Sequence, residues 1–138
     1  MSRKQKLRES KIVLYYTSGN GSCKKALQWF NEHEIEISPK KIHYISKTDL
    51  THALSLSETG FYELLKQADR CEPSVEKAIH NILEMSFNDS ITFILEHPEV
   101  LKVPLIIDEK KLIIGYNSET IRTFIPRNYR GLESINRL

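Results

Sequence analysis

Val103-Pro-Leu-Ile-Ile-Asp-Glu-Lys-Lys-Leu-Ile-Ile-Gly115 is the stretch from which the architecture can be read. Two short β-branched runs, Pro104 to Ile107 and Leu112 to Gly115, flank the polar turn Asp108 to Lys111, which is the pattern of an antiparallel hairpin. Working upstream, Ile12-Val-Leu-Tyr-Tyr16 ends in Ser18-Gly-Asn-Gly21, a buried strand running into a turn. Ser22 is placed to cap a helix from Cys23 to His33 with Ala26, Leu27 and Phe30 on its apolar face. Lys41-Ile-His-Tyr-Ile45 reads as a second strand, and Thr48 or Asp49 as the start of a helix through Leu56. A strand–helix–strand order implies parallel strands joined by a crossover helix.

Between this unit and the hairpin the pattern is helical. Phe61, Leu64, Leu65 and Ala68 share one face, and Pro73 opens a segment that turns Val75, Ala78, Ile79, Ile82 and Leu83 inward. Asp89 or Ser90 caps a third helix with Ile91, Ile94 and Leu95 inward, and Pro98 closes it. Beyond the hairpin, Ser118 caps a helix from Glu119 to Phe124, stopped by Pro126. The whole order predicts an α/β fold: a thioredoxin-like mixed sheet, helices on both faces, with an inserted all-helical subdomain. Residues 11–130 form its single domain, the sheet part about 11–56 and 103–127 and the insert about 57–101. Residues 1–10 are expected to be a basic tail, most simply a solvated one, and 131–138 a loose C-terminal tail. Pro104 lies directly before the third strand, where such folds place a cis proline, and is the cis-proline candidate.

Composition narrows the function classes. The 138 residues are 40% hydrophobic and 28% charged, an ordinary globular balance. No apolar run approaches a membrane span, and the N-terminal apolar stretch is too short for a secretory signal, so the expected location is the cytoplasm, without membrane contact. Cys23 and Cys71 lie 48 positions apart, and the five histidines show no paired spacing, so neither a metal site nor a cofactor is expected. The net charge of +2 is uneven: residues 1–11 carry +4, residues 122–138 carry +3 and the body −5. Basic ends on an acidic body permit contact with nucleic acid or an acidic partner.

Tyr16-Thr-Ser18, Ser22-Cys-Lys-Lys-Ala26, Trp29, the hairpin, Gly115-Tyr-Asn-Ser-Glu-Thr-Ile-Arg122 and Phe124-Ile-Pro-Arg127 follow in register over about residues 11–130. In this the chain resembles the Spx branch of the Spx/ArsC family. The resemblance implies a transcriptional regulator that binds the C-terminal domain of the RNA polymerase α subunit and meets promoter DNA only together with polymerase. It also implies a protease adaptor as a further partner. No catalysis is required. The rival that the same resemblance offers is an ArsC-type monothiol oxidoreductase, resembling an arsenate reductase, with Cys23 as its thiol.

Two departures bear on that choice. Redox-switched members carry Cys-x-x-Cys at the turn; here Asn20 holds the first position and only Cys23 remains. The family's arginine before the cis proline is replaced by Val103. Both changes point to a paralogue without the disulfide switch. Cys23 reads either as a reactive thiol at a helix start or as a buried, inert one. By resemblance, Gly60 lets the partner approach closely, with Leu56, Ser57, Glu58, Tyr16 and Thr17 on the same surface; on propensity alone Gly60 is also a helix C-cap. Arg122, Arg127 and Arg130 are candidates for DNA phosphate or an acidic partner, with a cation complementing a helix C-terminus as the plainer reading of Arg122.

Overall fold

The computed structural model describes residues 11–126. The predicted tails at 1–10 and 131–138, together with Arg127 and Arg130, lie outside the described residues.

Four strands form one mixed sheet: β1 Val13–Tyr16, β2 Ser38–Lys41, β3 Leu105–Ile107 and β4 Leu112–Ile114. Their order is β2-β1-β3-β4. β1 runs parallel to β2 and antiparallel to β3, and β3 pairs antiparallel with β4 in the predicted hairpin. The Val103–Pro104 bond is cis.

The second strand sits earlier than its sequence suggests. β2 is the polar run Ser-Pro-Lys-Lys, and the expected strand residues Ile42–Tyr44 instead form a 3₁₀ turn. β2 is an edge strand and is largely exposed, so Pro39 costs no ladder bond and the strand needs no apolar run. Ile42 and Ile45 are both buried, three residues apart, which is the spacing of a tight helical turn rather than of a strand.

The helices are α1 Gly21–Glu32, α2 Lys47–Leu56, α3 Phe61–Leu64, α4 Pro73–Leu83 and α5 Phe87–Glu96. Three are capped two to four residues earlier than expected. Asn20 Oδ1 accepts the Cys23 N–H at 2.8 Å, Ser46 Oγ that of Asp49 at 3.0 Å and Ser86 Oγ that of Asp89 at 3.2 Å. α3 spans one turn only, and the last predicted helix is a 3₁₀ segment, Thr120–Phe124.

Alternation along the strands divides the interior in two. Leu14 and Ile106 face Ala26, Trp29 and Phe30 of α1, with Ile121 and Phe124 closing that layer. Tyr15, Leu105 and Ile107 face the opposite layer, formed by Leu50 and Ala53 of α2 and by the helical insert through Ile79, Ile82, Ile91 and Ile94. The insert therefore shares its core with the sheet. Its two ends are pinned to each other: Leu65 bridges Leu101, with Lys66 N donating to Val100 O and Lys102 N to Leu64 O, both at 2.9 Å. Buried Ser90 joins α5 to α4 by donating to Ile82 O at 3.0 Å. Leu83, expected inside, is 38% exposed.

Candidate partner interface

Two short connections carry most of the residues singled out above: the turn from β1 into α1 and the loop from α2 into α3.

In the turn, Asn20 serves as the cap, and the start of α1 brings Cys23 inside, where it is 1% exposed. Burial pushes its thiol above the ordinary cysteine value, and hydrogen bonds from Thr17 to the sulfur offset this only in part. The helix-start effect that would activate the thiol is thus outweighed by desolvation, and the inert reading of Cys23 has the better geometry. Cys71 is the more accessible of the two free cysteines; its Sγ donates to Gln67 O at 3.2 Å. Tyr16 packs against the α1-side core and Thr17 is held by the Cys23 sulfur. Val103 packs against the other core cluster.

In the loop, Ser57 Oγ donates to Leu54 O at 2.7 Å and accepts the Gly60 N–H at 3.0 Å. Glu63 Oε1 accepts the N–H groups of Glu58 at 2.9 Å and Thr59 at 3.1 Å, and the Thr59 hydroxyl at 3.3 Å. These donors, Thr59 N–H first, hold the Glu63 carboxyl below its usual value, with Lys102 adding to the effect. Glu63 is not among the residues expected from the sequence to form the site. Its signal is a glutamate three residues past the start of a helix, where its carboxylate reaches back to free N–H groups.

Gly60 is not the C-cap of α2. That helix ends at Leu56, and Gly60 stands at the start of α3 with φ +73 and ψ −134, a conformation that L side chains rarely adopt. A Cβ built on it meets no atom within 4 Å, so the backbone here faces open space.

Beside Gly60 lies a groove of about 390 Å³ lined by Phe61, Tyr62, Ile82, Leu83 and Phe87. Tyr62 is 72% and Phe87 54% exposed. Phe87 leans on Phe61 with ring centroids 5.6 Å apart. Rigid aromatic rings left in water beside an ordered loop are what a protein partner uses as anchors. The sequence alone marks neither aromatic: Tyr62 lies off the apolar face of Phe61, Leu64, Leu65 and Ala68, and Phe87 falls before the expected cap at Asp89 or Ser90.

The two sets of expected partner residues are not one cluster. α2 begins beside β1, where the Tyr15 hydroxyl donates to Asp49, and it passes Asp108, whose carbonyl accepts from His52 Nε2 at 2.8 Å. Asp108 follows Ile107, the partner of Val13, so α2 runs antiparallel to β1. It carries Leu56, Ser57, Glu58 and Gly60 away from the Tyr16–Thr17 end. Arg122 lies half-buried in the 3₁₀ segment Thr120–Phe124, not at the end of an α-helix. Among the described residues no cluster of His, Cys, Asp and Glu could hold a metal ion, and no helix is long and apolar enough to cross a membrane.

The ArsC family profile matches residues 15–124. The chain is 39% identical over 126 residues to a protein named global transcriptional regulator Spx 2 from Bacillus cereus, covering 90% of this chain and 94% of that protein. It is 34% identical over 124 residues to the global transcriptional regulator Spx of Bacillus subtilis, covering 88% and 92%. Among solved structures, an ArsC family related protein from Bacteroides fragilis aligns with a TM-score of 0.68 at 18% identity, over 84% of this chain and 98% of that one. An arsenate reductase from Vibrio cholerae aligns with a TM-score of 0.66 at 15% identity, over 83% and 97%. At those identities the structural matches speak for the fold.

Proposed function

The chain belongs to the ArsC family, and within it we propose an Spx-type transcriptional regulator that docks on the C-terminal domain of the RNA polymerase α subunit without a disulfide switch. Whole-length similarity to proteins named as transcriptional regulators supports the regulator class. The finer reading rests on one observation: the N–H groups of Glu58, Thr59 and Gly60 are all taken up within the Ser57–Glu63 loop, yet open space lies on the Cβ side of the Gly60 backbone, beside exposed Tyr62 and Phe87. A loop ordered before binding loses little entropy on docking. Leu56, Ser57, Glu58 and Gly60 present this surface. Tyr16 and Thr17, in the separate β1 turn, are left out of it. Promoter DNA is met in the company of polymerase, with Arg122, Arg127 and Arg130 as the candidate phosphate contacts.

The enzyme reading receives no comparable support. A thiol nucleophile needs access and thiolate character, and Cys23 is 1% exposed with its pKa raised.

Calorimetric titration against the isolated α C-terminal domain, with and without reductant, tests the proposal. Equal affinity under both conditions is the expected result. Binding under neither condition would remove the polymerase reading, and binding under only one would remove the switch-free part of it.

A further inference from the structure

The two ends of the helical insert build a second surface. Leu65 and Leu101 are buried bridge partners, 3% and 1% exposed, pinned by Lys66 N to Val100 O and Lys102 N to Leu64 O. Alternation along the paired backbone turns the next residue of each, Lys66 and Lys102, to the side away from the core. The 3₁₀ turn Ala68–Arg70, closed by Arg70 N to Gln67 O at 3.0 Å, brings Arg70 to the same place. These three cations line one recess of about 300 Å³ with Cys71 and Gln67, and no acidic residue stands in its wall. None of the three has an ion-pair partner among the described residues. Glu63, whose carboxyl Lys102 helps to hold down, spends Oε1 on the N–H groups of its own loop. Asp69 and Glu72 flank Arg70 and Cys71 in sequence but are exposed and stand outside the recess. Three like charges gathered by backbone pairing repel one another, and an anion from outside relieves that cost.

A neighbouring recess of about 330 Å³ shares Lys66 and Lys102 with the first and has an apolar wall of Leu65, Ala68, Ile79 and Leu83. Leu83 and Tyr62 in turn line both this recess and the groove beside Gly60. We propose that the two recesses bind an extended acidic peptide segment of a partner protein, its carboxylates on Lys66, Arg70 and Lys102 and an apolar side chain in the Leu65–Ala68–Ile79–Leu83 hollow. Three features argue for this occupant. Its charge is opposite to that of the recess. Hollows that share walls in series suit a chain that runs from one to the next. The pairing of a cationic with an apolar hollow suits a segment carrying both kinds of side chain. A nucleic-acid backbone would use the cations and leave the apolar hollow empty. It would also meet a body, residues 12–121, that is net −5 even with these three cations counted. This inference goes beyond the docking of the Gly60 loop and does not depend on it.

Fluorescence anisotropy on the full chain tests the proposal with a labelled synthetic peptide of glutamates interspersed with leucines. The peptide should bind, weaken severalfold at high salt or when its leucines become serines, and lose binding when its glutamates become glutamines. Replacing Lys66, Arg70 and Lys102 together by Gln should weaken binding by at least about tenfold, with a thermal melt to check the fold. Arg70→Gln alone, at an exposed residue, should cost severalfold and keeps the test decisive if the triple variant melts early. Because Cys71 lines the cationic recess, saturating peptide should also slow its alkylation by iodoacetamide. No binding, binding undiminished in both variants, or binding that leaves Cys71 unprotected would overturn the proposal. So would tighter binding of duplex DNA of equal charge that the same variants abolish, which would make the surface a nucleic-acid contact. Neither readout involves polymerase, so failure here leaves the docking proposal standing.

Discussion

At the start of α1, Asn20 spends its side chain on the Cys23 N–H, Thr17 holds the sulfur, and the only thiol of the turn is folded inside. At the start of α3, Ser57 and Glu63 likewise take up the N–H groups of Glu58, Thr59 and Gly60, but open space lies on the Cβ side of Gly60, and two aromatic rings beside it stay in water. Both connections solve the same problem, that of the unpaired donors at a helix start. They differ in what is left over afterwards. The first keeps no accessible reactive group; the second keeps an ordered, uncovered surface. The comparison separates two jobs that one fold can host: chemistry at a thiol, and recognition at a loop. In this chain the loop is the better equipped.

The largest test of that contrast is substitution of Gly60. An arginine there has to adopt φ near +73 and projects into the space a partner would occupy. Gly60→Arg should weaken binding to the α C-terminal domain by at least about 100-fold, about 2.8 kcal/mol, by calorimetry. The positive φ also costs the loop itself on the order of 1–3 kcal/mol, so a thermal melt must accompany the titration. Phe87→Ala supplies the control: the ring is 54% exposed, so the fold should persist while binding falls by about tenfold, roughly 1.4 kcal/mol. Full binding by both variants would mean the open loop is not the interface.

Next in size is the cap of the closed turn. Removing the Asn20 side chain in Asn20→Ala strands the Cys23 N–H and should lower stability by about 1 kcal/mol, within 0.5–2, in a denaturant titration. Binding to the α domain should not change, because the turn and the loop are separate structures. A large loss of binding in Asn20→Ala would instead tie the two regions together.

How much of this was legible follows from which physical signals are local. The hairpin and the α4 helix are readable because each is marked by its own residues, apolar runs around Asp108–Lys111 and Pro73 at a helix start, and the cis Pro104 follows from the fold that the element order implies. The helix starts were misplaced for a specific reason. Ser46-Lys-Thr-Asp49 and Ser86-Phe-Asn-Asp89 are Ser-x-x-Asp boxes; the expected starts at Thr48 or Asp49 and at Asp89 or Ser90 fall on the far side of each box, whereas the serine at its near end is the cap. β2 was misread because its identity comes from its position at the sheet edge, which four polar residues do not announce. The candidate site was legible at Gly60 and Cys23 as single residues. What each does was not, because burial of Cys23 and exposure of Tyr62 and Phe87 are set by packing between elements distant in sequence.

A smaller effect is expected from Glu63, and it carries a pH signature. The folded carboxyl titrates below its usual value of 4.5, so its stabilising effect is fully present above that value and is lost as pH falls through the lowered one. Glu63→Gln should therefore flatten the acid side of the stability profile while leaving stability near neutral pH only slightly reduced. Unfolding midpoints measured across the acid range compare the two chains. An unaltered acid slope in Glu63→Gln would show that the loop is not held by this carboxylate, and the preorganisation of the open surface would lose its physical basis.

The smallest expected effect is the one that completes the contrast. If the closed turn has given up its chemistry, Cys23→Ala should bind the α domain as the unaltered chain does, in reducing and oxidising buffer alike. Alkylation with iodoacetamide sharpens the point, because two thiols in one molecule report on each other. Cys71 is the more accessible and should be modified first, whereas Cys23 must wait for the start of α1 to open, since the residue is 1% exposed and burial disfavours the thiolate. Raising the pH alone should therefore accelerate Cys71 more than Cys23, and mild denaturant should narrow the gap. Rapid alkylation of Cys23 in the native state would reverse the assignment of roles: the turn would be the reactive region, and loss of oxidised-state binding in Cys23→Ala would then make it the regulatory one as well.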